Sequence, residues 1–475
     1  MILAFTFAGI VLIGVLGFVG RRRPAADLSE WTVGGRRFGA LTMWFLQAGE
    51  VFTTFTFLGM AGLAFSGGVA AMYALPYVPI AYVVLFFLAK RLWTLGRERG
   101  YLTQGDFLED RYGSRALGTL SAVIGVVCVL PYLQLQITGL GLIVRLVTGD
   151  AASGTLSMVL GCVLVVAFVL WAGLRGVAAT SYFKDAIMLV VLVVLLIAVP
   201  VYFHGGISAM FHRIEQLHPE KLFVHSGPND HLWFVTSMVV SAIGVGLMTL
   251  PHTWPALMSA RDPKVLRRNY TWMPVYEICL MLPMFVGFAA ILVLPKTTDS
   301  NGVLLTLSKQ ALPGWVTGLV VVAATATAMV PAAGILIGIS SLVARNIVRV
   351  RRERLQFWIN HGTVVVASAL ALLLGIFRPD LLANLLLLTY SGTVQLAPAN
   401  ALGLLRRVPV GKVPVLAGIV AGEVAVVWLT FVDTHLAGTV NVGLIGLAVN
   451  VVVLAVVALG TRAFAGRPAS APARV

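Results

Sequence analysis

Long apolar stretches recur along almost the entire chain, and short polar segments separate them. A bilayer core of ~30 Å is crossed by about 20 apolar residues in a helix, and most stretches reach that length. The pattern therefore predicts an all-α polytopic membrane protein with about thirteen transmembrane helices. The predicted helices span residues 2–20, 40–65, 69–93, 117–146, 155–174, 184–203, 231–257, 271–295, 313–344, 357–377, 381–405, 413–432 and 440–461.

The composition supports this reading of the pattern. Hydrophobic residues make up 59% of the 475 residues and charged residues only 11%, whereas about a quarter of a soluble domain is charged. A soluble fold is therefore excluded, and the lipid bilayer is the expected partner. The formal net charge of +15 does not indicate nucleic-acid binding, because membrane proteins collect Lys and Arg in their cytoplasmic loops.

The distribution of basic residues predicts an orientation. If thirteen helices alternate from an outside N-terminus, six of the 34 Lys and Arg residues fall in outer segments, which leaves 28 in inner segments. The six are Arg145, Arg213, Lys221, Lys296, Lys309 and Arg378. Such an asymmetry follows the positive-inside rule. We therefore expect a multi-pass protein of the bacterial inner membrane, with its N-terminus outside and its C-terminus in the cytoplasm.

Two helices interrupted by glycine each open one half of the chain. Transporters built from inverted repeats bind their substrate between two broken helices of this kind. The pattern thus predicts two repeats of five helices each. The predicted division is a first peripheral helix in 1–25, the first repeat in 40–203, an outer loop in 204–230, the second repeat in 231–405, two peripheral helices in 413–461 and a disordered cytoplasmic tail in 462–475.

The predicted helix at 40–65 places costly polar groups inside an apolar stretch. Glu50, Thr53 and Thr56 closely follow Gly49, and polar residues within membrane helices are functional candidates because their burial costs free energy. A break in this helix would expose backbone carbonyls to a cation and backbone amides to an anion. The alternative is a continuous helix whose hydroxyls bond to their own backbone.

Other polar residues within the predicted spans are less specific. Tyr132, Gln136, Thr327 and Gln395 are, each taken alone, more typical of an interhelical hydrogen bond than of a ligand contact. The sequence contains no phosphate-binding loop and no zinc-protease or serine-hydrolase motif. We therefore expect neither ATP-driven transport nor enzyme catalysis, and no cofactor.

Several segments together resemble the sodium:solute symporter family, whose members have the LeuT-like fold. The resemblance covers most of residues 25–410 and implies a 5+5 inverted repeat. The segments that carry it are Glu30–Gly39, Phe57–Gly62, Asp106–Arg115 and Pro251-His252 followed by Arg261–Pro263. A second set is similar to bacterial monocarboxylate permeases, namely Trp31, Gly34–Gly39, Trp44–Leu46, Glu50, Pro131-Tyr132, Gln136, Val330–Ala333, Arg345–Ile347 and Gln395 before Pro398.

The resemblance implies coupling to a cation gradient. Sodium-coupled members use two backbone carbonyls of the first core helix, which correspond to Gly49 and Phe52. They also use a hydroxyl pair, which corresponds to Val330 and Pro331, and neither of these side chains contains an oxygen. Two coupling ions therefore remain open. The coupling residues are either Glu50 for a proton, or Gly49, Glu50, Phe52 and Thr327 for sodium.

These observations predict a secondary active transporter of small monocarboxylates such as lactate, pyruvate or acetate. Lys184 is assigned to an inner segment, and no Lys or Arg falls in the middle of a predicted span. Hydroxyls, amides and half-helix N-termini would then hold the carboxylate. The predicted substrate-binding residues are Thr53, Thr56, Tyr132, Gln136, Gly244 and Gln395. The alternatives are a sodium symporter for another small solute and a membrane sensor derived from a transporter; the oligomeric state is open.

Overall fold

The structure is a computed structural model that describes residues 2–21, 28–148, 154–350 and 352–465. Within these ranges the chain forms helices joined by loops. The described residues contain no β-strand, and the one β-type pairing among them is an isolated bridge between Phe38 and Ala260. The all-α fold class predicted from the apolar pattern is therefore confirmed.

The α-helices follow one another with short connections. Their bounds are α1 Ile2–Arg21, α2 Leu28–Val33, α3 Ala40–Val51, α4 Met60–Gly67, α5 Ala74–Arg99, α6 Gln104–Tyr112, α7 Arg115–Thr148, α8 Gly154–His204, α9 Ile207–Leu217, α10 His231–Gly246, α11 Thr253–Ser259, α12 Pro263–Tyr276, α13 Leu282–Ile291, α14 Val303–Ala311, α15 Gly314–Leu342, α16 Glu353–Phe377, α17 Leu382–Thr393, α18 Ala397–Gly403, α19 Lys412–Phe431 and α20 Val442–Ala465.

Eight helical stretches in the described residues are long and apolar enough to cross a membrane. This number is lower than thirteen because it counts continuous helical stretches, whereas the thirteen are separate predicted crossings of the membrane. The 51-residue α8 combines the predicted helices 155–174 and 184–203, and it changes direction at Gly173, where φ is +56° and ψ is −176°. Conversely, α3 and α10 are too short to count, because each belongs to a span that is broken.

The centre of the molecule is α15, which is buried along nearly its whole length between α8, α7 and α1. Outer helices instead expose large apolar side chains, such as Phe87 on α5 and Phe377 on α16, each 74% exposed. A bilayer tolerates such apolar faces, whereas water would not. The burial pattern therefore agrees with an integral membrane protein.

Two helical breaks face each other near this centre. The first separates α3 from α4, where Phe52 is extended (φ −81°, ψ 93°) and a wide π-helical turn follows at Phe55–Gly59. The second separates α10 from α11, where Met248 has a positive φ of 55°. Both lie in the glycine-interrupted helices that the sequence singles out.

At the C-terminal end, α20 extends to Ala465 and so includes the first four residues of the segment predicted as a disordered tail. Residues 466–475 of that predicted tail lie outside the described residues, as do residues 22–25 of the first predicted division. The predicted outer loop 204–230 contains the short helix α9.

Candidate substrate and cation site

A cavity of ≈ 60 Å³ lies between the two helical breaks. Its wall is formed by α3 and the first break, by the second break with α11, and by one face each of α5, α7, α12 and α17. The polar lining residues are Gln47, Glu50, Thr53, Tyr77, Tyr82, Tyr132, His252, Thr253, Tyr270 and Tyr390. The remaining lining is apolar, so the cavity combines an apolar wall with several hydroxyl groups, as small-molecule sites commonly do.

Side chains satisfy the backbone groups that the first break releases. The amide of Phe55 donates to Thr53 Oγ1 over 3.2 Å, and the hydroxyl of Thr56 donates to the carbonyl of Val51 over 3.1 Å. The amide of Thr54 donates to Gln136 Oε1 on α7, also over 3.2 Å. Buried backbone groups need such partners. The threonines and Gln136 therefore hold the helix in its broken form.

The second break is held in the same way. The hydroxyl of Thr249 donates to the carbonyl of Gly244 over 2.9 Å. Asn400 Nδ2 donates to the carbonyl of Leu247 over 2.8 Å, and Trp254 Nε1 donates to that of Met248 over 2.7 Å. With both breaks fixed by buried hydrogen bonds, the cavity between them has a defined shape.

The structure separates the six predicted substrate-binding residues into three groups. Thr53 and Tyr132 line the cavity. Thr56, Gln136 and Gly244 bond within the two breaks and do not line it. The amide nitrogen of Gln395 donates to the carbonyls of Ser391 and Gly443, towards α20. Only the first pair could therefore touch a ligand in this cavity directly.

Several lining residues escaped the sequence analysis. Tyr82 and Tyr390 fall within apolar stretches, where aromatic residues do not stand out from the surrounding pattern, and Tyr270 immediately precedes the predicted span 271–295. Gln47 lies one turn before Glu50, and its Nε2 donates to the hydroxyl of Tyr270 over 3.0 Å. The sequence spacing could have identified Gln47, because it lies one turn before Glu50 on the same helix.

Glu50 lies at the edge of the cavity and is buried. Its Oε1 has no hydrogen-bond partner among the described residues. Gly334 on α15 packs near this oxygen, since an added Cβ there would lie 3.6 Å from it. A buried carboxyl without a partner is costly, so Glu50 is available to a proton, a cation or a ligand.

A lysine faces the two backbone carbonyls expected at the cation site. Lys184 Nζ donates to the carbonyl of Gly49 over 3.0 Å and to that of Phe52 over 2.8 Å. The side chain is 0% exposed, and its Nζ lies 2.8 Å from Asp185 Oδ1. The assignment of Lys184 to an inner segment is therefore wrong: it lies inside α8, which continues without interruption through the predicted loop.

The fourth residue predicted for sodium coupling makes a local bond. The hydroxyl of Thr327 donates to the carbonyl of Ala323, one turn earlier on α15, over 2.7 Å. Val330 is buried and, like Pro331, brings no oxygen to this face. Among the described residues, no group of three or more His, Cys, Asp or Glu side chains could hold a metal ion.

Polar contacts fix α6 against the end of α15. Asp106 Oδ2 accepts hydrogen bonds from Arg345 Nε over 2.6 Å and from the amide of Leu102 over 2.8 Å, and Asp106 Oδ1 accepts from Asn346 Nδ2 over 3.0 Å. Nearby, the guanidinium of Arg349 binds both carboxylate oxygens of Glu109. These bonds tie the end of the central helix to a short helix outside the predicted spans.

Comparisons with known proteins agree on a family. A model of the sodium:solute symporter family matches residues 31–406. The chain is 35% identical to the uncharacterized symporter YhjB of Bacillus subtilis (strain 168), over 96% of each chain. It is 29% identical to a monocarboxylate transport permease protein of Rhizobium johnstonii, over 98% of this chain and 96% of that one.

A solved structure supports the fold. The substrate-bound, outward-open state of a Na⁺-coupled sialic acid symporter matches with a TM-score of 0.79 at 15% identity, over 96% of this chain and 97% of that chain. At this identity the likeness concerns the fold alone. It confirms the LeuT-like architecture that the sequence segments imply.

Proposed function

Because the chain belongs to the sodium:solute symporter family, we propose that it carries small monocarboxylates, such as lactate, pyruvate or acetate, across the membrane together with a cation. The chain is an integral membrane protein and a symporter for a small molecule. The monocarboxylate substrate, the outside N-terminus and the cytoplasmic C-terminus are parts of the proposal. The observation that carries it is the cavity between the two helical breaks.

The size of the cavity favours a small substrate. A volume of ≈ 60 Å³ is small compared with the roughly 300–1,000 Å³ of pockets for drug-sized ligands. Such a cavity suits acids of a few carbon atoms, such as acetate, pyruvate and lactate. Larger solutes would require the cavity to widen. The relative named a monocarboxylate transport permease protein covers nearly the whole chain and supports the same class.

The lining favours an anion that is bound together with positive charge. Thr53 and Tyr132 can donate hydrogen bonds to a carboxylate. Glu50 lies in the same wall, and two like charges about 4 Å apart repel by roughly 4 kcal/mol near a protein surface. A carboxylate substrate therefore binds well only when a proton or a cation compensates Glu50. This requirement links substrate binding to cation binding, which is the basis of symport.

The proposal is tested by uptake of labelled acids into proteoliposomes that contain the purified full-length chain. Sodium and pH gradients are imposed separately, and a panel of monocarboxylates is compared with dicarboxylates, neutral amino acids and sugars. We expect saturable, gradient-driven accumulation of one or more monocarboxylates and no accumulation in liposomes without protein. Accumulation of a different class of solute alone would replace the proposed substrate, and binding without transport would favour a sensor.

A further inference from the structure

The two carbonyl oxygens released by the first helical break have a partner within the chain itself. Lys184 Nζ lies 3.0 Å from the Gly49 oxygen, 2.8 Å from the Phe52 oxygen and 2.8 Å from Asp185 Oδ1. An ammonium group has three N–H donors, and here it faces three oxygens. The side chain is fully buried, so solvent does not compete for these contacts.

The local packing brings the ammonium to this point. Gly49 packs so closely on α8 that an added Cβ would lie 2.9 Å from Ser181 Oγ and 3.7 Å from Lys184 Nζ. The absence of a side chain at Gly49 therefore lets α8 approach the break. Lys184 then reaches from one helix to the carbonyls of the other, as a cation attached to the protein.

We propose that Lys184, paired with Asp185, is a cation built into the protein that occupies the position predicted for sodium at the first helical break and excludes the ion from it. This inference rests on the proposed function, since it concerns the ion that accompanies the substrate. It rules out the scheme in which sodium binds the Gly49 and Phe52 carbonyls.

A sodium ion does not fit this position while Lys184 is there. The ammonium already uses the Gly49 and Phe52 oxygens, and a cation of the same charge nearby would be repelled. On the facing helix α15, Val330 and Pro331 contain no side-chain oxygen. Sodium needs several oxygens to replace its water, and too few remain here while the ammonium occupies the two carbonyls and Asp185.

Acidic side chains on each neighbouring element influence Lys184. Asp185 lies on its own helix, Glu50 on α3 and Glu277 just after α12, and all three interact electrostatically with the ammonium. None of the carboxylate oxygens of Asp185 or Glu277 has an aligned hydrogen bond among the described residues. These carboxyl groups favour the charged form of the lysine and so help to hold the ammonium at the two carbonyls.

Sodium-dependent stability tests the inference without any substrate. The melting temperature Tm of the purified full-length protein is measured in sodium chloride and in choline chloride at equal ionic strength. We expect no specific sodium effect on the wild type or on a control variant, Lys90→Ala, which removes an exposed lysine. In Lys184→Ala the carbonyls and Asp185 are freed, so sodium should raise Tm in a saturable manner.

Exchange by the wild type supplies the second test. At constant pH, exchange of a labelled acid should be equal in sodium chloride and in choline chloride, because the ammonium occupies the position predicted for sodium. The double variant Lys184→Met with Asp185→Asn replaces the ion pair by neutral groups of similar size, which protects folding, and sodium should also raise its Tm because the two carbonyls are freed.

The outcomes distinguish the inference from the proposed function. Sodium-independent exchange by the wild type supports the inference, together with a saturable sodium effect on Tm in the Lys184 variants. A saturable sodium effect on wild-type Tm, or strict sodium dependence of uptake at constant pH, overturns it. Absence of exchange for every monocarboxylate overturns the proposed substrate instead, and the Tm comparison still decides the role of Lys184.

Discussion

The backbone amide of Thr54 donates a hydrogen bond to Gln136 Oε1 over 3.2 Å. This bond connects the first helical break to α7, so the position of the break depends on a side chain 82 residues away in sequence. A glutamine in an apolar helix is costly, and its role here is to replace a lost helical bond. Thr56 completes the arrangement by donating to the carbonyl of Val51.

Replacing Gln136 should disturb the substrate site. In Gln136→Leu the buried amide of Thr54 loses its partner, which costs about 1–3 kcal/mol of stability and should raise the half-saturation concentration for exchange. The matched control is Gln134→Leu on the same helix, because Gln134 donates to the carbonyl of Arg378, away from the break. Exchange kinetics in proteoliposomes and Tm measure the two effects.

Thr56→Val tests the same break from its other side. The protein should fold, since one hydrogen bond of about 1 kcal/mol is lost, and the half-saturation concentration should rise. If half-saturation stays unchanged in both Thr56→Val and Gln136→Leu, the first helical break does not shape the substrate site.

Two acidic residues of α6 should differ in their contribution to stability. Asp106 is 11% exposed and accepts bonds from Arg345, Asn346 and the backbone, so Asp106→Ala should cost about 3 kcal/mol. Glu109 binds Arg349 but is 30% exposed, so Glu109→Gln should cost about 1 kcal/mol or less. Thermal unfolding in detergent compares them, and an equal loss for both would contradict the assigned roles.

The proposed orientation gives a labelling prediction. A cysteine at Ser226, in the segment 204–230, should react with a membrane-impermeant maleimide in intact cells, whereas one at Arg352 should react only after the membrane is opened. Both positions are exposed in the structure. The parent protein measures the background from Cys128, Cys162 and Cys279. Reversed accessibility would discard the predicted alternation of thirteen helices.

Sequence reasoning found the polar residues of the first break because they interrupt an apolar pattern. Glu50 and Thr53 stood out in this way, and both line the cavity. Tyr82 and Tyr390 did not, since aromatic residues resemble their apolar neighbours. Gln395 also interrupts an apolar stretch, but it bonds to the carbonyl of Gly443 on α20. A polar residue in an apolar helix therefore indicates a buried partner, but not which partner.

Lys184 shows why three-dimensional packing was needed. The apolar stretches on either side end near it, so the pattern predicts a loop there. In the structure α8 turns at Gly173 and continues as a helix, which carries the lysine into the interior. Its partners, the carbonyls of Gly49 and Phe52, are backbone atoms 132 or more residues away. No side-chain pattern could reveal such a contact.

The most direct test of the central claim measures how Thr53→Val changes the half-saturation concentration for exchange of a labelled monocarboxylate. The matched control is Thr363→Val on α16, where the hydroxyl donates to the carbonyl of Ile359. If the acid binds in the cavity between the two helical breaks, Thr53→Val should raise half-saturation roughly fivefold, equivalent to one hydrogen bond of about 1 kcal/mol, and Thr363→Val should leave it unchanged. Equal half-saturation in Thr53→Val and the wild type would contradict the account.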